Sequence, residues 1–152
     1  MQIAAAPPRR RHAAADWNEP RGDASLAPLV AACRGAGGLV RGDDLAQLLE
    51  DRGDGNIVAL ARQIVAGEVI AFEWHGCVWI PLFQFEAEGL GVRRSLQPVL
   101  AELGPHYDGA GLAAWFVEPN GWLDEARPID LLESRPAEVL QAARADRFVA
   151  TC

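Results

Sequence analysis

The chain has 152 residues, half of them hydrophobic, with 21 acidic against 14 basic side chains and a net charge of −7. That length and apolar content support one compact domain, or two small lobes sharing a core, while the acidic balance speaks against broad electrostatic binding of nucleic acid. No apolar run approaches the roughly 20 residues that span a bilayer, and Pro7 and Pro8 interrupt the start before a signal-peptide core can form, so a cytosolic protein is expected.

Residues 1–24 read as a flexible tail rich in Ala, Pro and Arg, with Arg9, Arg10 and Arg11 in a row and Trp17 as its one large apolar group. Arg-Gly-Asp then occurs three times, at Arg21-Gly22-Asp23, Arg41-Gly42-Asp43 and Arg52-Gly53-Asp54. With no signal for secretion, these read as helix punctuation. Arg suits a helix C-terminus, Gly the left-handed position after it, and Asp the start of the next helix.

Leu26, Leu29, Val30 and Cys33 recur at helical spacing, and Gly35-Ala-Gly-Gly38 ends that helix as a linker. Leu45, Leu48 and Leu49 follow a cap at Asp43 or Asp44. A third helix is expected over 57–66, with Ile57, Leu60, Ala61, Ile64 and Val65 on its inner face. The period then becomes alternating. Residues 69–74 and 78–82 flank a short turn at His75-Gly76-Cys77, which predicts a β-hairpin.

Helical spacing returns after it. Ser95 is placed as the cap of a helix bearing Leu96, Val99, Leu100 and Leu103, and Asp108 or Gly109 opens one bearing Leu112, Trp115 and Phe116. Pro119 ends that helix, Asn120-Gly121 turns the chain, and Pro128 begins a short helix. Ser134 is expected to cap a last helix through Val139, Leu140 and Ala143. The fold class is therefore mainly α, a helical bundle with one β-hairpin: a helix-turn-helix-like lobe over 25–92 and a helical domain over 93–152.

Catalytic patterns are missing from this reading. Cys33, Cys77 and Cys152 share no zinc spacing with His12, His75 and His106, and Gly35-Ala-Gly-Gly38 lacks the Lys-Ser or Lys-Thr of a phosphate loop. Glu73 and His75 form only a thin acid–base pairing, and an enzyme would need them or His106 to converge in a pocket. A non-enzymatic chain without metal or cofactor is expected.

Two patterns point to binding. The order helix, turn, helix and hairpin resembles the winged-helix layout of excisionase and MerR-type DNA-binding domains. The helix placed for base reading offers Asn56, Arg62 and Gln63, but from Arg41 to Glu73 three arginines face seven acids, so the Arg9-Arg10-Arg11 arm would have to supply cation.

The second pattern lies in Trp115-Phe-Val-Glu-Pro119-Asn120-Gly-Trp122-Leu123, then Arg127-Pro128-Ile129-Asp130-Leu131-Leu132, then Val139-Leu140-x-Ala142-Ala143. These residues resemble the toxin-binding domain of the Xre/MbcA/ParS antitoxins. A weaker likeness runs back through Ile80-Pro-Leu-Phe-Gln-Phe85. The resemblance implies an antitoxin that neutralises a RES-type, NAD-consuming toxin by docking its C-terminal helices, with homodimerisation and autoregulation of its operon through DNA as companion properties. The contact residues so implied are Trp122, Asp124, Glu125, Arg127, Arg144, Arg147 and Phe148, with Arg147 meeting an acidic or phosphate-binding feature at the toxin's cleft and Phe148 anchoring nearby. Asp124-Glu125 stand where the family carries Gly-Gly, so a turn of positive φ there would be strained.

Overall fold

A small antiparallel sheet stands between two hydrophobic cores in the structure, a computed structural model that describes residues 23–152. Its strands are β1 (Leu39–Arg41), β2 (Phe72–Trp74) and β3 (Cys77–Pro81), with β3 in the middle. The expected hairpin is β2 and β3, joined by His75 and Gly76 at φ 51° and 72°. Two central residues of positive φ give the turn the right-handed twist that a tight hairpin needs. The third strand was not anticipated. Gly37 and Gly38, at φ 109° and 104°, swing the chain out of the first helix, and what reads as a linker delivers Leu39–Arg41 to β3 with Val40 opposite Ile80. Three residues are too few to display an alternation; the partner strand creates β1.

Among the described residues seven α-helices surround this sheet: α1 (Ala27–Gly35), α2 (Gly42–Asp51), α3 (Ile57–Val65), α4 (Leu96–Leu103), α5 (Gly109–Val117), α6 (Pro128–Leu131) and α7 (Pro136–Ala150). The run α1-β1-α2-α3-β2-β3 keeps the winged-helix-like order and adds a strand to it. Alternation along the sheet splits its apolar side chains. Ile80 joins Leu45, Leu49, Leu60 and Val69 in a minor core under α2 and α3. Phe72 faces the major core with α1, α4, α5 and α7. Helix α1 lies early in the chain but packs on α5, so the major core draws on both sides of residue 92. Cys33 is fully enclosed there, and burial pushes its thiol up to about 12, which leaves a neutral packing group.

Helix α5 is buried on every side from Ala110 to Val117, a rod around which the other helices assemble. Asp108 caps it as expected, accepting from Gly111 N at 2.7 Å. The loop after β3 is pinned by Gln84, which is wholly buried. Its amide accepts from Ile70 N at 2.7 Å and donates to the carbonyls of Ile70 and Pro81, both at 2.9 Å. One side chain thus supplies the bonds that this stretch of irregular backbone would otherwise lack.

Several local expectations are corrected. Arg52-Gly53 does end a helix, with Gly53 at φ 72°, but Arg41 closes a strand and Gly42 is the first residue of α2. Arg21, Gly22 and Trp17 lie outside the described residues. Asp43 and Asp44 sit in the first turn of α2 without capping it. Ser95 stands at the cap position of α4 as expected, but its hydroxyl bonds no N–H of the helix; it donates to Glu133 Oε1 at 2.8 Å and ties α4 to the segment after α6. The last helix starts at Pro136 with Arg135 at its cap, not Ser134, because proline is well placed in a first helical turn. On α3 only Leu60 is buried. Ile57 and Val65 face outward, Val65 with 88% of its surface exposed, since the helix leans on α2 along one narrow edge.

Candidate protein-docking site

The C-terminal corner is assembled around one carboxylate. Pro119 stops α5, and Asn120 caps the 3-10 turn Gly121–Leu123 by accepting from Trp122 N at 2.9 Å. The Asn120 amide then donates to Asp146 Oδ2 at 3.1 Å. The Trp115 indole donates to the same oxygen at 2.7 Å, and the Trp122 indole to Asp146 Oδ1 at 2.9 Å. Asp146 projects from α7, so a single side chain ties that helix to the end of α5 and to the turn. Three donors on one ionised acceptor make charge-assisted bonds, the stronger kind.

The sequence reading missed Asp146, which looks there like one more charge in a helical run. A signal did exist. Two indoles and an amide packed into a corner must find acceptors, and an indole nitrogen can only donate.

This lock leaves Trp122 standing at the edge of α7 with 37% of its surface exposed. Beside it runs an open groove of about 320 Å³ floored by Ala137, Ala142 and Ala145 and edged by Glu138 and Gln141. Positions 138, 141, 142 and 145 form one helical stripe. Phe148, 68% exposed, stands seven residues beyond Gln141 and extends that edge toward the chain end. A small-residue floor with an aromatic wall suits an apolar side chain of a partner.

Asp124 and Glu125 follow Trp122 and are both exposed and left-handed, at φ 54° and 66°. The turn does require positive φ. It is held there by Glu125 N donating to the Asn120 carbonyl at 2.9 Å and Ala126 N to that of Leu123 at 3.0 Å. Side-chain-bearing residues are strained in this region and glycine is not. Replacing both by glycine should therefore raise stability by about 1–2 kcal/mol, after discounting the looser unfolded chain. Thermal unfolding checks this, and a fall in midpoint would show that the two side chains relieve the strain themselves.

The arginines expected on this face are placed elsewhere. Arg144 Nε lies 3.1 Å from Glu102 Oε1, and Arg147 Nη1 lies 2.7 Å from the buried Oε2, an ion pair rather than an aligned hydrogen bond. Both reach toward α4, away from the Trp122 groove. Arg127 directly precedes α6 and holds Asp130 through two bonds of 2.8 and 2.9 Å, which favours its charged form further. Of the seven contact residues, the structure brings Trp122, Asp124, Glu125 and Phe148 to the exposed side of the corner. The three arginines are paired within the chain, Arg127 with its near neighbour Asp130 and both Arg144 and Arg147 with the distant Glu102.

The residues considered for reading DNA fare differently. Asn56 caps α3, accepting from Ala59 N at 3.0 Å, and Gln63 is half-buried. Arg62 is exposed, but within an apolar surface lined by Ile57, Val58, Ala61, Val65 and Ala66. The Arg9-Arg10-Arg11 arm lies outside the described residues. Glu73 points outward from β2, while His75 sits in the turn against the Trp74 ring. No described helix is long and apolar enough to cross a membrane. No family model matches the chain, and comparison with curated proteins and with solved structures gives no match either.

Proposed function

We propose that the chain is a non-enzymatic, antitoxin-like protein of the cytoplasm that neutralises a RES-type, NAD-consuming toxin by docking its C-terminal corner onto it. The observation that carries this reading is the Asp146 lock. It fixes Trp122 as a rigid, partly exposed wall over a groove of small residues. Pre-organised aromatic anchors beside a desolvated pocket are what interface hot spots are made of. The resemblance of residues 114–145 to the antitoxin domain supplies the class of partner.

The reading is tested by co-expressing the chain with a RES-domain toxin and following cellular NAD and co-purification of the pair. Trp122→Ala should keep the fold, since the residue is at the surface and gives up one hydrogen bond. It should weaken the complex by about 2–4 kcal/mol in calorimetry. An unchanged dissociation constant would remove this groove from the contact.

A second reading, a DNA-binding regulator of its own operon, is favoured by the order of α2, α3 and the hairpin and by the strand order β1-β3-β2. It ranks lower because the outer face of α3 is apolar where a phosphate-gripping surface is cationic. A gel shift at low salt that disappears on Arg62→Ala would reverse the ranking.

A further inference from the structure

We infer that the Trp122 groove takes a basic, apolar-tipped segment of the partner protein, selected by the carboxylates of Asp124 and Glu125 in the exposed turn directly after Trp122; this rests on the docking role proposed above. From Glu118 to Glu138 there are six carboxylates and two guanidiniums. Both guanidiniums are occupied, Arg127 by Asp130 and Arg135 by Glu138 at 3.6 Å. Glu133 accepts from Ser95 and lies 3.9 Å from Arg93. Arg144 and Arg147 are turned toward Glu102 on α4. The turn directly after Trp122 therefore carries two exposed carboxylates, Asp124 and Glu125, that no cation among the described residues answers.

The charge complementarity runs opposite to the arginine-led contact expected from the sequence. An acidic partner segment would set like charges against Asp124, Glu125 and Glu138, which costs affinity, whereas Arg or Lys beside an aliphatic tip would be drawn in. The backbone strengthens the selection by holding both carboxylates in one fixed turn directly after Trp122. A second copy of the chain does not fit. Pairing this face with itself about a two-fold axis would oppose two acidic rims.

The test is calorimetry and stopped-flow association with a RES-domain toxin, comparing the wild-type chain with D124N/E125Q, D124K/E125K and W122A, each first shown to be folded by circular dichroism. The double neutral variant should bind about fivefold more weakly, chiefly through slower association with a flatter salt dependence, and the reversed variant more weakly still. Charge variants that bind as tightly as wild type, while W122A binds weakly, would overturn the basic-segment inference and leave the docking site standing. Tighter binding by D124K/E125K would mean that an acidic segment is the occupant.

Should the toxin fail to bind at all, the partner assignment falls, and a second probe decides the inference. A short synthetic helical peptide of Leu and Arg is compared with its Leu and Glu counterpart. Preference for the Arg peptide that vanishes in D124N/E125Q and in W122A supports the inference; equal binding, or preference for the Glu peptide, ends it.

Discussion

Asp146→Ala is expected to lower the stability of the chain by about 3–4 kcal/mol, read as a shift of the urea midpoint at unchanged slope. The variant removes one acceptor from three donors at once: the indoles of Trp115 and Trp122 and the amide of Asn120. Trp115 and Asn120 are buried, so their N–H groups are left without a partner and without ready access to water. An orphaned buried donor costs about 1–3 kcal/mol, and a bond to a charged acceptor contributes more than a neutral one. Trp122 is half in solvent and should recover its bond with water.

Asp146→Asn separates charge from geometry. It keeps one acceptor oxygen but turns the other position into a donor facing a donor, and should fall about midway. A variant as stable as wild type would show that the corner is held by apolar packing alone. The same geometry limits what truncation can reveal. Removing residues 146–152 takes the lock with the tail, so weaker toxin binding could reflect a loosened corner. Removing residues 148–152 spares both Asp146 and the Arg147–Glu102 pair and tests Phe148 as a contact.

Gly109→Ala should be at least as damaging, by about 3 kcal/mol or more, and is read by the same denaturation. Gly109 opens α5 where the helix passes β2, and a Cβ at that position would land on the carbonyl oxygen of Ala71, with the Ala71 carbonyl carbon 2.9 Å away. The obstacle is backbone on both sides, which cannot rotate aside as a long side chain can. Relief requires α5 to move off the strand, and α5 is the rod enclosed by the major core. By contrast Gly53→Ala meets no atom within 4 Å but sits at φ 72°, so its cost is backbone strain only, about 1 kcal/mol. If the two alanine variants prove equally stable, the close approach of α5 to β2 is not a feature of the folded chain.

Much of the candidate site was legible in the residues themselves. Pro119, Asn120 and Pro128 mark the ends and starts of the helices around the corner, and each does so in the structure because proline and asparagine act on the backbone next to them. The Asp124-Glu125 turn was recognisable as a place of possible strain from its departure from Gly-Gly, and its φ values carry that strain. The ion pairs of Arg144 and Arg147 with Glu102 were not legible in the same way. A surface arginine in a sequence carries no sign of whether a carboxylate 42 residues away will fold in beside it, as Glu102 does for Arg144.

By itself the sequence determined the mainly helical class, the positions of most helices and the tight hairpin, since periodicity, proline, and glycine at positive φ act within a few residues of where they stand. Only the tertiary structure decided that Leu39–Arg41 is a strand, that α3 turns Ile57 and Val65 outward, that Gln84 bridges Ile70 and Pro81, and that Asp146 gathers donors 24 to 31 residues distant. Each of these depends on which surfaces meet, and that is set by the closing of two cores over one sheet rather than by any local preference of the chain.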